Sequence, residues 1–152
     1  MLRARMSYTE NRKIYHDYEI LETYEAGLKL LGHEAKAITV GKASLVGARV
    51  ILRAGEAFLV GANIQPYQTA NTPKGYDPVR ARKLLLHKKE LGILVGKEAA
   101  KGLTILPLKL YNKNSKIKLL FGIVRAKKKH DKRESQKKKT AKRDIERSLK
   151  NS

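Results

Sequence analysis

Arg49-Val50-Ile51-Leu52-Arg53-Ala54-Gly55-Glu56-Ala57-Phe58-Leu59-Val60 decides the fold class. Two apolar runs flank Ala54-Gly55, and Gly55 supplies the positive φ that a tight hairpin turn needs. Downstream, Leu103 to Tyr111 and Ile117 to Val124 are again β-rich, joined by the turn residues Asn112-Lys113-Asn114-Ser115. Upstream, Tyr18 to Tyr24 alternates imperfectly with a period of two. Glu25-Ala26-Gly27 interrupts that run and Leu28 to Leu31 resumes it, so Gly27 reads as a bulge or bend. His33 to Val40 predicts a short helix closed by Gly41. Gln65 to Pro78 holds Pro66, Pro73, Gly75 and Pro78 and reads as a long loop. Val79 to Ala100 reads as the longest helical stretch, with Leu84, Leu85, Leu91, Leu94 and Val95 stacking and Gly92 as a point of division. About six short strands with two or three helices predict a mainly β fold, a small closed antiparallel barrel of OB type.

The chain has 152 residues, with 34 Lys and Arg against 14 Asp and Glu, a formal net charge of +20. Such a balance points away from a general metabolic enzyme and toward a polyanionic partner. A 41% hydrophobic content nevertheless allows a buried core. Without Cys there is no disulfide framework, thiolate zinc site or Cys nucleophile. No apolar run approaches the roughly 18 residues of a membrane span. The basic start lacks an apolar segment, so no signal peptide and a cytoplasmic location are expected.

The charge concentrates at the end. Residues 125–152 carry 13 Lys or Arg against 4 Asp or Glu, and their only aliphatic side chains are Ala126, Ala141, Ile145 and Leu149. So little apolar surface cannot offset ordering entropy. The reading is a flexible start over 1–10, a folded body over 11–124 and a basic tail over 125–152, disordered when free. Ala141, Ile145 and Leu149 fall at i, i+4 and i+8, one thin stripe suited to a helix formed on binding.

Catalytic constellations are weak. His16, His33, His87 and His130 are dispersed, and neither His16-Asp17 nor His130-Asp131 is expected to act as a dyad, since adjacent strand residues face opposite ways. Gly41-Lys42-Ala43-Ser44 lacks the first glycine of a phosphate loop. Neither metal nor cofactor is expected. In contrast, Arg80, Arg82, Lys83, Lys88 and Lys89 crowd the start of the long helical stretch with only Glu90 to pair them, which favours phosphate contacts. Tyr8, Tyr67 and Tyr76 lie in terminal or loop segments, where they could stack on unpaired bases.

Several runs then occur in a telling order. They are Asn11-Arg12-Lys13 with His16, Tyr24-Glu25-Ala26-Gly27, Gly61-Ala62-Asn63-Ile64, Asp77-Pro78 through Arg80, Arg82-Lys83-Leu84-Leu85-Leu86-His87-Lys88, and Lys128-Lys129-His130-Asp131-Lys132-Arg133. With them the chain resembles the SsrA-binding protein (small protein B, SmpB) family over about residues 11–147. The resemblance implies a non-catalytic bacterial ribosome-rescue factor with an OB-type barrel. Such a factor binds the tRNA-like domain of transfer-messenger RNA and accompanies it to ribosomes stalled in translation, where trans-translation tags the incomplete peptide. By matching motif, Asn11, Glu25, Leu86 and Lys116 would touch the RNA, helped by Lys13, Arg82, Lys83 and Lys88. Lys127, Lys128, Lys129, His130, Asp131, Lys132 and Arg133 would belong to the tail that engages the decoding centre and becomes helical in the mRNA channel. The implied factor is monomeric and has no membrane partner. Two departures stand out: Ala126 replaces the family's usual Gly before the paired lysines, stiffening the hinge, and the first helix, His33 to Thr39, lacks the family's arginine. From the residues alone, a ribosomal or nucleoid-associated OB protein with a basic extension is the alternative, and an RNA-processing enzyme the third.

Overall fold

The computed structural model describes residues 7–68, 70 and 72–128. Along them run β1 (Ser7–Glu10), α1 (Arg12–Asp17), β2 (Tyr18–Leu28), α2 (Gly32–Thr39), β3 (Ala43–Ser44) and β4 (Arg49–Arg53). β5 (Glu56–Val60), β6 (Asn63–Ile64), β7 (Arg82–Leu85), α3 (Lys88–Glu98), β8 (Leu103–Lys113) and β9 (Lys116–Ala126) follow. The strands form an antiparallel sheet in the order β1-β8-β9-β2-β7-β5-β4, plus a separate β3-β6 pair. The protein is thus mainly β with a few short helices. β4 comes alongside β8, yet among the described residues no ladder joins them, so β1 and β4 remain the edges.

Both hairpins use mirror-image turns. Arg53 pairs with Glu56 across Ala54 at φ 52° and Gly55 at φ 76°, the positive-φ pair that matches strand twist. Ala54 takes this conformation despite its Cβ, at a cost of about 1–2 kcal/mol. Asn114 and Ser115, at φ 52° and 62°, turn β8 into β9 in the same way. The β2–β9 register slips between Ile20 and Glu22, and Gly122, paired with Thr23, lies just beside the slip. A Cβ there would stand 2.9 Å from the Glu22 carbonyl oxygen, so only glycine admits the close approach.

β8 and β9 are buried from both sides. One face adds Ile105, Leu110, Leu119, Phe121 and Ile123 to the main core with Ile38, Leu45, Leu59 and Leu84. The other offers Leu108 and Val124 to Ile14 of α1, which explains why these strands read as near-continuous apolar runs rather than clean alternation.

Four expectations change. Ser7–Glu10, placed in a flexible start, is strand β1, paired to β8. Gly27 is no bulge: it sits in register between Lys118 and Leu85, and the slip lies seven residues earlier, after Ile20. The stretch from Val79 is not one helix. Arg82–Leu85 is strand β7, held between β2 and β5, because two open ladders outweigh the helix preference of leucine. α3 starts only at Lys88 and then runs on through Gly92. Finally, the body does not end at Val124: Arg125 and Ala126 still pair with Glu19 and Tyr18, and Lys127 N–H donates to the Asp17 carbonyl at 2.9 Å. Ala126 is therefore a ladder residue, paired with Tyr18.

Candidate nucleic-acid interface

Glu34, in the first turn of α2, organises the surface although its side chain is fully buried. Arg82 gives it two bonds, from Nε at 2.9 Å and Nη2 at 2.6 Å. Arg80 adds Nε at 3.1 Å and a second, shorter contact from Nη2. The Leu31 N–H donates at 2.8 Å and the Tyr76 hydroxyl lies 2.9 Å away. Arg82 spends its remaining donors on the Ala62 and Pro78 carbonyls, at 2.8 and 3.0 Å. Burial alone would raise the Glu34 pKa, but the Arg80, Leu31 and Arg82 bonds win and hold it at about 2. Burial, then the Glu34 carboxylate, pushes the Tyr76 hydroxyl up to about 12. The cluster ties α2 and the 62–80 loop to β7, and so fixes what α2 and that loop present outward.

They present a groove of about 720 Å³. Leu28, Leu30, Val40 and Leu85 give it an apolar floor. The rings of Tyr8 and Tyr67 stand in its walls with Lys36, Lys116 and Lys118. Among the described residues none of those three lysines is paired with a carboxylate. Lys36 Nζ instead lies 6.0 Å from the centre of the Tyr67 ring. Apolar floor, aromatic walls and free cations are the components of a surface for single-stranded nucleic acid.

The residues predicted from sequence fall in different places. Lys116 is on the groove, and Lys118, which the sequence reading passed over, is two residues along the same strand and shares its face. Glu25 stands on the same face of β2 as Gly27, also a groove residue. It accepts a hydrogen bond from the Tyr111 hydroxyl and another from Lys113 Nζ at 2.9 Å, so this carboxylate positions a neighbouring cation. Lys83, Leu86 and Lys88 line a second cleft of about 440 Å³, which meets the first at Leu85. Lys83 is there bonded to Glu56 at 2.9 Å. Asn11 and Lys13 lie apart, beside a third cleft of about 270 Å³. Asn11 is buried and its amide donates to the Leu45 carbonyl at 3.1 Å, so its role here is to pin α1.

Arg82 must be reassigned. Its exposure is 0% and Glu34 absorbs its charge, so it offers no surface to RNA. Arg80 is also bonded to Glu34, although its side chain stays 30% exposed. The basic face expected along one helix is therefore split between Arg80 and Arg82, both held by Glu34, Lys83 in β7, and the exposed Lys88 and Lys89 that open α3. Tyr76 leaves the stacking candidates because Glu34 and the Ile64 carbonyl engage its hydroxyl. His16 and Asp17, expected to face apart, touch at 2.8 Å because they end helix α1 instead of lying in a strand. Lys127 and Lys128 are described, whereas Lys129, His130, Asp131, Lys132 and Arg133 lie outside the described residues. Among the described residues no group of three His, Cys, Asp or Glu could hold a metal, and no helix is long and apolar enough to cross a membrane.

Comparison with known proteins adds the following. The family model described as SmpB protein matches residues 8–151. The SsrA-binding protein of Thermosynechococcus vestitus is 50% identical over 142 residues, 93% of each chain. That of Gloeobacter violaceus is 50% identical over 147 residues, 97% of this chain and 96% of its own. The SsrA-binding protein of Nitrosomonas europaea is 47% identical over 144 residues, 95% of each. A chain of the solved structure "tmRNA-SmpB: a journey to the center of the bacterial ribosome" superposes with a TM-score of 0.66 at 48% identity, over 80% of this chain and 85% of that one.

Proposed function

This chain belongs to the SmpB protein family, and from that premise we propose how its parts divide the work. It binds transfer-messenger RNA and delivers it to ribosomes for trans-translation. The body, 7–128, curls into a barrel of OB type and grips the tRNA-like domain, with Lys36, Lys116 and Lys118 of the 720 Å³ groove as phosphate contacts. Lys83, Leu86 and Lys88 extend that footprint across Leu85, and Lys13 supplies an outlying cation. Glu25 acts through Lys113. The basic tail, from Lys127 through Lys128, Lys129, His130, Asp131, Lys132 and Arg133 onward, enters the decoding centre and the mRNA channel, becoming helical there. The protein works as a monomer in the cytoplasm and catalyses nothing: positioning is its whole contribution.

The observation that carries this reading is three lysines that line an aromatic, apolar groove and have no carboxylate partner among the described residues. Binding to the tRNA-like domain should weaken with salt, with a log–log slope of about −0.7 to −0.9 per phosphate contact. Reversing Lys116 and Lys118 to Glu should weaken binding and flatten that slope by roughly two contacts. Titrations of labelled RNA at several salt concentrations check this. An unchanged slope in the double variant would move the phosphate contacts off this groove.

A further inference from the structure

We propose that Tyr67 is the platform on which one unpaired nucleobase of the bound RNA stacks, with its backbone phosphates on Lys116 and Lys118. This rests on the RNA-adaptor reading and adds a site to it. Tyr67, with Lys36, lines both the 720 Å³ groove and a neighbouring cleft of about 350 Å³ lined by Gly32, His33 and Pro73. Its position is built. Gln65 N–H donates to the Lys42 carbonyl at 2.9 Å, Lys42 Nζ returns a bond to the Tyr67 carbonyl at 3.3 Å, and Lys36 lies over the ring. A ring fixed in advance loses little freedom on binding.

The groove's chemistry suits a nucleotide and little else that is polyanionic. A base and ribose fit the floor of Leu28, Leu30, Val40 and Leu85, while the cations gather at Lys116 and Lys118. A volume of about 720 Å³ is that of a small-ligand cleft, too small for a duplex to enter. Bases within a duplex hide their faces, so the occupant is a nucleotide splayed from a loop. Tyr8, the other ring of the groove, walls the same space.

The test measures affinity of the full-length chain for a labelled tRNA-like domain transcript across a salt series. Tyr67→Ala and Tyr67→Leu should each bind roughly 5- to 150-fold more weakly, the range for losing one stacked base. Their salt slopes should match the parent, because stacking releases no counterions. Tyr67→Phe should recover the lost affinity. Tyr67→Leu keeps apolar bulk against the core, so a melting curve matching the parent assigns its loss to the ring and not to unfolding. If Tyr67→Leu binds like the parent while the Lys116/Lys118 reversal weakens binding, the stacking site is overturned and the RNA reading stands. If Tyr67→Phe fails to recover affinity, the ring's aromatic face is not what binds, and the proposal falls. If neither the tyrosine nor the lysine variants change affinity, both the site and the groove's role are wrong.

Discussion

Glu34→Gln should lower the melting temperature by roughly 6–20 °C. Arg82 has no exposed surface, and Glu34 is the carboxylate that balances it. The amide keeps the size but removes the charge, leaving the buried Arg82 guanidinium and the partly exposed Arg80 guanidinium without their shared counter-charge. Breaking one side of such a pair costs about 3–5 kcal/mol, and a chain of this size loses roughly 2–4 °C per kcal/mol. Acid should produce the same defect in the parent. Its Glu34 pKa is held at about 2, below the usual carboxylate value near 4.3. The stabilisation is therefore complete above about pH 5 and drains away as pH falls toward 2. The gap between parent and variant should narrow over that window. Circular dichroism melts at neutral and acid pH check both statements. A shift of only a degree or two at neutral pH would mean that the cluster is ornamental to folding.

Removing everything after Lys128 should leave RNA binding nearly intact and abolish peptide tagging. The cut must fall there and not after Val124. The shorter cut would delete Arg125 and Ala126 from the β2–β9 ladder, with the Arg125–Glu19 ion pair at 2.8 Å and the Lys127 bond to Asp17. A protein ending at Val124 should thus melt lower, blurring loss of the tail with damage to the body. RNA affinity of the chain ending at Lys128, measured beside a tagging assay on stalled ribosomes, separates the two. Tagging that persists without the tail, or RNA affinity that collapses with it, would contradict the division of labour.

What could be read from sequence follows the range of the interactions involved. The 49–60 hairpin, the pair Leu103–Tyr111 and Ile117–Val124, and the helix ahead of Gly41 are encoded within a few residues of themselves, and they fold as read. β7 was illegible because Arg82 to Leu86 has helix-forming composition, while its strand state depends on β2 and β5, which lie far off in the chain. Glu34 and Arg82 are 48 residues apart, so nothing local shows that this arginine belongs inside. A charge count sees both as surface. The groove is similar: Tyr8, Lys36, Tyr67 and Lys118 come from four separated segments. Lys118 alone was reachable, since a lysine two residues from Lys116 in a strand must share its face.

β9 is bonded on both sides, to β2 and to β8, and it is the last strand among the described residues. A force applied at Lys128 along the strand axis would thus load two rows of bonds in shear at once, instead of peeling one row bond by bond. Such a strand resists tension well. A ribosome in motion could haul on the end of this protein and drag its cargo along without unravelling the hand that holds it.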